Sequence, residues 1–173
     1  MGGMVSVVAA GPVPVEEYLR TTYKPACDYL DGVLRQKTMP TWKHGLIQGL
    51  LNTLINAHKG YLAATELTVQ IRAGKYLVPD VGVQARTAIQ DPYPTEPIFL
   101  CVEVLSPEDR FADVLAKCDE YLAWGVPMTW IVDPELRRAW QYAGRAPEEI
   151  PAAGNLAAGE ITVSLPELFS VFD

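Results

Sequence analysis

An acidic residue lies inside a run of side chains that otherwise has the composition of a buried strand. The run is IFLCVEVLSP, residues 98–107, and its acid is Glu103. An ionised carboxylate in apolar surroundings is unfavourable unless a cation or hydrogen-bond donors pair with it. A second acid, Asp80, follows Pro79 and leads into the strand-like stretch VGVQ. If these two strands pair, both carboxylates can point to the same side of a sheet.

The pair formed by Asp80 and Glu103 has the chemistry of a magnesium site. Two close carboxylates repel each other, and the pKa of each rises unless a cation lies between them. Mg²⁺ takes one or two protein carboxylates together with water and phosphate oxygens. Such an ion could activate a water molecule and neutralise charge on a phosphate. The residues alone leave two alternatives open: Asp80 as a turn residue, and Glu103 on a solvated strand face.

Two further polar residues are candidates for the same site. Lys117 lies on the predicted helix after Glu103, away from the apolar stripe of that helix. Its ammonium could orient an attacking water or stabilise charge on a phosphate; the alternative is an exposed i,i+4 ion pair with Asp113. His44 lies at the start of an earlier helix, where it is either a surface or capping residue or a general base.

Three helices are predicted upstream of and around these residues. They lie in PVPVEEYLRTT, in HGLIQGLLNTLINAHKG with its end at Gly60, and in PEDRFADVLAKCDEYLAWG with its end at Gly125. Apolar residues at i, i+3 and i+4 spacing support the second and third. Ser106 and Asp109 are interpreted as a capping box, with Pro107 at the first helical position.

Strand-like segments separate the helices. A hairpin with its turn at Asp31-Gly32 is predicted in ACDYLDGVLRQ, and residues 144–159 are predicted to be a loop. The other predicted strands are ELTVQIR, YLVPDVGVQA, IFLCVEVLS, MTWIVDP, RRAWQYAG and one in ITVSLPELFSVF. This order predicts an α/β fold in which helices flank a central mixed sheet.

Charge is unevenly distributed along the 173 residues. The formal net charge is −7, yet residues 35–86 carry seven basic and two acidic side chains, and residues 87–173 carry five basic and fifteen acidic ones. This asymmetry allows a basic face for a nucleic-acid backbone opposite an acidic body. A solvated charge pattern without a partner is the alternative. The basic residues of the first group are Arg35, Lys37, Lys43, Lys59, Arg72, Lys75 and Arg86.

The composition is typical of a globular domain, with 49% hydrophobic and 20% charged residues. No apolar run reaches the roughly 18 residues that span a bilayer. Three cysteines without C-x-x-C spacing favour free thiols in a reducing compartment, so we expect a cytoplasmic protein without a membrane segment. We also expect a flexible tail at residues 1–12 and one domain over residues 13–173.

A set of short motifs occurs in order along the chain. They are CDYLDGVL, His44-Gly45, VPDVGV, FLCVEVLSPEDR, the spacing from Asp113 through Lys117 to Tyr121, AWGVPMTWIVDP and LPELF. As a set, from about Val13 to Phe169, they make the chain resemble the Uma-two family of restriction-endonuclease-like proteins, within the PD-(D/E)XK nuclease superfamily. The resemblance implies a four- or five-stranded mixed core sheet with helices on both sides and a metal site at its edge.

The resemblance also implies roles for individual residues. Asp80 and Glu103 match the two metal ligands of the family, and with the backbone carbonyl of Val104 they would bind Mg²⁺, for which Mn²⁺ could substitute. The superfamily's usual lysine lies two residues after the second acid, where this chain has Leu105. Lys117, on the next helix, matches the lysine that replaces it in this family.

Two more positions match the family's motifs. His44 corresponds to a histidine at the start of the second helix, where it would contact a phosphate or the nucleophile. Asp28 occupies the place of a glutamate in a Y-E-L-I-D-G motif and is one methylene shorter, which leaves open a direct or a water-mediated contact with a metal.

The sequence therefore supports two hypotheses. The first is a metal-dependent nuclease that hydrolyses phosphodiester bonds of nucleic acid, with DNA preferred as the substrate and a homodimer as the plausible assembly. The second is a catalytically inactive protein with the nuclease fold that acts as a nucleic-acid-binding or assembly module, since a fold alone does not determine an activity. The acidic second half and Leu105 motivate the second hypothesis.

Overall fold

The structure is a computed structural model that describes residues 11–173, so most of the predicted tail at residues 1–12 lies outside the described residues. The helices are α1 (Val15–Arg20), α2 (Trp42–Asn56), α3 (Phe111–Trp124) and α4 (Leu165–Phe169). The strands are β1 (Cys27–Leu30), β2 (Val33–Gln36), β3 (Tyr61–Thr65), β4 (Val69–Arg72), β5 (Lys75–Leu77), β6 (Val81–Ala85), β7 (Leu100–Val104), β8 (Thr129–Asp133), β9 (Arg138–Tyr142), β10 (Glu148–Glu149), β11 (Asn155–Ala158) and β12 (Ile161–Ser164).

A six-stranded mixed sheet lies at the centre, in the order β10-β9-β8-β7-β6-β3. Its strands β7 and β8 run parallel, and its other neighbouring strands run antiparallel. A second sheet has the order β2-β1-β5-β4, and β11 pairs with β12. The predicted α/β fold with a central mixed sheet is confirmed, with six strands in that sheet rather than the four or five that the resemblance implies.

Helix α2 covers one face of the central sheet. Ile47, Leu51 and Ile55 recur every four residues on one side of the helix, and all three are fully buried in the main core. The helix ends at Asn56 rather than at the predicted Gly60. The Asn56 side chain explains the early end, because it bonds both the N–H and the carbonyl of Ala63 in β3.

Helix α3 covers the opposite face and begins later than predicted. Its first residue is Phe111, so the predicted capping box at Ser106 and Asp109, with Pro107 in the first turn, is wrong. Asp109 instead closes a turn, since its Oδ2 accepts from the N–H of Ser106 and its own N–H donates to the Ser106 carbonyl. Its Oδ1 accepts from the Thr38 hydroxyl, which ties this turn to the chain before α2.

The segment predicted as one strand, YLVPDVGVQA, contains two strands in different sheets. β5 belongs to the four-stranded sheet and β6 to the central sheet, and residues 78–80 connect them. Pro79 lies in this connection and has no N–H to donate to a strand ladder, which favours the break. The predicted loop at 144–159 is also more regular than expected, because it contains β10 and β11.

The structure has three buried free thiols, as the spacing of the cysteines predicts; they are Cys27, Cys101 and Cys118. Burial, with the nearby Glu103 carboxylate, raises the pKa of Cys118 to about 12, so this thiol is not a reactive nucleophile. Of the helices in residues 11–173, none combines the length and the apolar character needed to cross a membrane.

The packing of α2 predicts the effect of a single truncation. Leu51→Ala should lower the free energy of unfolding by about 2–5 kcal/mol, because it removes buried apolar surface and leaves a cavity. Leu136→Ala is the control, since Leu136 is 62% exposed and its loss should change stability by about 0.5 kcal/mol or less. Urea denaturation measures both; equal effects of the two substitutions would contradict the described core.

Candidate active site

The candidate residues meet at residues 78–80, which connect the four-stranded sheet to the central sheet. The carbonyl of Val78 accepts hydrogen bonds from Lys37 Nζ at 3.0 Å and from Lys117 Nζ at 3.1 Å. The N–H of Val78 donates to Asp28 Oδ1 at 2.8 Å. One peptide segment therefore brings together side chains from β1, from the residue after β2 and from α3. Asp80 follows two residues later.

The register of the central sheet places Asp80 beside Glu103. Strands β6 and β7 are antiparallel, and Val81 is opposite Val102. Continuing this register by one residue puts Asp80 opposite Glu103, and residues directly opposite in an antiparallel pair have side chains on the same face. The expectation that the two carboxylates point to one side of the sheet follows from this pairing.

Backbone and side-chain contacts hold Asp80 in place. Its Oδ2 accepts from the N–H of Val104 at 2.7 Å, and both groups are buried. Its backbone carbonyl accepts from Gln48 Nε2 at 2.8 Å and from the N–H of Glu66 at 3.0 Å. Because α2, β7 and the chain before β4 all contribute a donor, the position of this carboxylate is determined by the fold rather than by local sequence.

Glu103 is buried on the α3 side of the sheet. Its Oε1 accepts from the Tyr121 hydroxyl at 2.7 Å and lies 3.2 Å from Lys117 Nζ, whereas its Oε2 lies 3.8 Å from Lys37 Nζ. Burial raises the pKa of Glu103 above its usual value, and the two ammonium groups offset only part of that effect. Burial and the Glu103 carboxylate also raise the pKa of Tyr121, so its hydroxyl remains a donor.

Lys37 contacts both carboxylates, although its sequence context indicates only a basic residue of segment 35–86. Its Nζ bonds Asp80 Oδ1 and lies near Glu103 Oε2. Burial disfavours the charged lysine, but the two carboxylates outweigh burial and raise the pKa of Lys37. Burial likewise opposes ionisation of Asp80, but Lys37 and His44 together hold the Asp80 pKa well below its usual value.

Lys117 points into the site from α3. Three oxygens lie near its Nζ: the Val78 carbonyl, Asp28 Oδ2 at 3.2 Å and Glu103 Oε1 at 3.2 Å. The alternative of an exposed pair with Asp113 is therefore wrong. Burial disfavours its charge, but the Asp28 and Glu103 carboxylates outweigh burial and raise the pKa of Lys117. An ammonium has three protons, so these three oxygens can occupy all of its donors.

His44 is buried rather than a surface residue. It lies in the first turn of α2, where its N–H donates to the side chain of Thr41, the residue that caps the helix. Its Nε2 lies 3.4 Å from Asp80 Oδ2. Its Nδ1 is buried and has no hydrogen-bond partner among residues 11–173. The ring is thus in contact with Asp80, and it also lines the cavity.

The position of the superfamily's usual lysine lies in the core of this chain. Leu105 is buried and packs with Cys118 and Ile131 under α3. A lysine there would have to bury its ammonium among apolar side chains. The two ammonium groups of the site come instead from Lys37 and Lys117.

A cavity of about 500 Å³ opens beside these residues. Its lining includes five basic residues, of which Arg35 and Arg110 are exposed; the five are Arg35, Lys37, Lys75, Arg110 and Lys117. Three of the seven basic residues of segment 35–86 therefore reach the cavity. Two of the others form surface ion pairs elsewhere, Lys43 with Glu135 and Arg72 with Asp31.

The oxygen atoms around Asp80 fit a hard divalent cation. Asp80 Oδ1 and Glu103 Oε2 share one ammonium, so they already face a common positive charge. The N–H of Val104 points to Asp80, and within a strand the N–H and carbonyl of one residue point to the same side. Two carboxylates and a carbonyl suit Mg²⁺, which completes its shell with water and phosphate. Within residues 11–173, no cluster of three or more His, Cys, Asp and Glu is arranged as a metal site.

Comparison with known proteins supports the fold and identifies the family. A crystal structure titled as "a putative nuclease belonging to DUF820" from Anabaena variabilis ATCC 29413 is similar with a TM-score of 0.77 and 24% identity, over 92% of this chain and 98% of that chain. A cryo-EM structure titled "DrdV-DNA complex" has a TM-score of 0.41 and 20% identity, over 72% of this chain and 10% of that chain. No curated protein matches the chain.

The family model described as "Putative restriction endonuclease" matches residues 15–169, which is most of the chain. The match covers the connection at Val78–Asp80, β7 and α3, and thus every residue of the candidate site. The chain therefore belongs to the Uma2 family.

Proposed function

We propose that the protein is a nuclease that hydrolyses phosphodiester bonds of nucleic acid with the help of a divalent cation, Mg²⁺ or, as a substitute, Mn²⁺. The observation that carries this proposal is the convergence of Asp80 and Glu103 on one position at neighbouring ends of β6 and β7, beside a cavity. The family and its nuclease-like fold agree with the proposal. DNA is the first substrate to test.

Each site residue has a proposed role. Asp80, Glu103 and the Val104 carbonyl would hold the cation, which when bound would activate a water and neutralise charge on the phosphate. Lys117 would keep Glu103 ionised and in position. It could act directly on the attacking water only by giving up one of its three protein contacts.

Two residues have supporting roles. His44 would contact the substrate phosphate or the nucleophile, since its ring lies against Asp80 and lines the cavity. Asp28 is held by Val78 and Lys117, so its proposed role is to fix the Lys117 ammonium rather than to bind the cation directly.

The proposal also includes the cellular compartment, the domain bounds and the assembly of the protein. Its three buried free thiols fit a reducing compartment such as the cytoplasm. We place the domain at residues 13–173, with a homodimer as the assembly that would let both strands of a duplex be cut. The inactive module remains the second candidate, because an ammonium lies between the two acids and Leu105 replaces the usual lysine.

Isosteric substitution of the acids tests catalysis. Asp80→Asn and Glu103→Gln should each lower the rate of Mg²⁺- or Mn²⁺-dependent plasmid cleavage by about 100-fold or more, because each removes a charged ligand at the reacting centre. Asp31→Asn is the matched control, since Asp31 is exposed in the β1–β2 turn, and Asn tolerates its positive φ of 46°.

Circular dichroism should accompany the cleavage assays, so that loss of folding is not mistaken for loss of catalysis. Wild-type cleavage rates in both folded acid variants would rule out this site. A wild-type protein that binds DNA but does not cleave it, with either metal, would favour the inactive module.

The exposed arginines of the cavity predict how binding depends on salt. Arg35→Gln should weaken DNA binding on all sequences alike and reduce the slope of log K against log salt concentration by about 1, because one phosphate contact is lost. Arg86→Gln is the control, since Arg86 is also exposed but does not line the cavity. Fluorescence anisotropy at several salt concentrations measures both; equal slopes for the Arg35 variant and the wild type would place the DNA elsewhere.

A further inference from the structure

The ammonium of Lys37 lies where a cation shared by Asp80 and Glu103 would lie. Its Nζ contacts Asp80 Oδ1 directly and lies 3.8 Å from Glu103 Oε2. The Lys37 side chain is 16% exposed, and its Nζ also donates to the Val78 carbonyl at 3.0 Å. A monovalent cation supplied by the protein itself thus separates the two carboxylates.

The two oxygens that face Lys37 are the ones that other protein donors leave available. Asp80 Oδ2 accepts from the N–H of Val104, and Glu103 Oε1 accepts from the Tyr121 hydroxyl. Within the part of the chain that the structure describes, Asp80 Oδ1 accepts a hydrogen bond only from Lys37 Nζ, and Glu103 Oε2 accepts none and has Lys37 Nζ at 3.8 Å. Each carboxylate is therefore anchored through one oxygen and presents the other.

The charges of the cluster favour exchange of Lys37 for a divalent cation over addition of one. Three carboxylates, those of Asp28, Asp80 and Glu103, surround the ammonium groups of Lys37 and Lys117. A divalent cation added to all five ionised groups would leave an excess positive charge in a buried cluster. Replacing the Lys37 ammonium by the cation would balance the charges, and buried charges are least costly when they are balanced.

The space beside Asp80 Oδ1 also favours exchange of Lys37 for the cation. Mg²⁺ binds oxygen at about 2.1 Å, and an ion bonded to Asp80 Oδ1 would lie where the Lys37 ammonium now contacts that oxygen. We propose that Lys37 occupies the metal position in the resting protein and that a divalent cation binds by displacing its ammonium. Lys37 is then a positioning residue that sets the affinity for the metal; this inference rests on the proposed function for the identity of the two ligands.

Direct titration with Mn²⁺ in the absence of nucleic acid tests the exchange. The electron paramagnetic resonance signal of free Mn²⁺ gives the dissociation constant for the wild type and for Lys37→Met, which keeps an unbranched side chain one atom shorter and removes the charge. Lys37→Met should bind Mn²⁺ at least about tenfold more tightly than the wild type. Lys43→Met removes an exposed charge outside the cavity and should leave the affinity unchanged.

The Asp80→Asn variant distinguishes failure of the exchange from failure of the metal site itself. If Asp80→Asn abolishes Mn²⁺ binding but Lys37→Met binds no more tightly than the wild type, the acid pair is a metal site and the exchange is wrong. If Asp80→Asn binds Mn²⁺ as well as the wild type does, the metal pair itself is wrong, and the exchange is overturned with it.

A labelling experiment on the wild type avoids any variant that fails to fold. Lys43 lies outside the cavity and pairs with Glu135 at the surface, so it serves as the internal reference. Reductive methylation, followed by mass spectrometry of the peptides, should modify Lys37 faster when Mg²⁺ is added and leave Lys43 unchanged. Equal labelling of Lys37 with and without saturating Mg²⁺ would overturn the proposal.

Discussion

Two carboxylates buried at neighbouring strand ends must be balanced by positive charge, and this requirement determines much of the architecture around them. Neither Asp80 nor Glu103 is close to its counter-charges in sequence: Lys37 follows β2, and Lys117 lies in the middle of α3. The charges are balanced only when the four-stranded sheet, the central sheet and α3 are assembled together. Removing one ammonium would leave an uncompensated buried charge, which is among the most destabilising changes in a protein interior.

The connection at residues 78–80 is the structural element that makes this assembly possible. Because Pro79 interrupts the strand ladder, the chain passes from one sheet to the other, and the backbone groups of Val78 become free to bind side chains. Both lysines donate to its carbonyl, and Asp28 accepts from its N–H. The same break leaves the carboxylate of Asp80 facing β7, in the lining of the cavity.

The sequence was informative where a residue conflicted with its surroundings. Glu103 within an apolar strand and Asp80 after a proline could both be identified, because a buried acid is costly and needs a reason. The pairing of β6 with β7 was a condition of that interpretation, and the structure meets it. Lys117 could not be resolved between a surface pair and the site, since helix periodicity gives its direction but not the identity of its neighbours.

Other features depend on contacts between distant segments, and the sequence carries little signal for them. Lys37 has the same local character as the exposed lysines, and only the packing of the β1–β2 hairpin against residues 78–80 brings it to the acids. The strands β3, β10 and β11 have few β-branched residues, so their sequences give little strand signal. The expected start of α3 failed because Asp109 bonds within a turn instead of capping the helix.

We infer that Asp80 and Glu103 form one cation position, which Lys37 fills until a metal replaces it. A crystal structure of the protein soaked in Mn²⁺, with anomalous diffraction data, would locate the ion at this position. We expect an anomalous peak bonded to Asp80 Oδ1 and Glu103 Oε2, with the Lys37 ammonium moved away from both oxygens. A crystal saturated with Mn²⁺ in which Lys37 still joins the two carboxylates, and no peak lies between them, would contradict it.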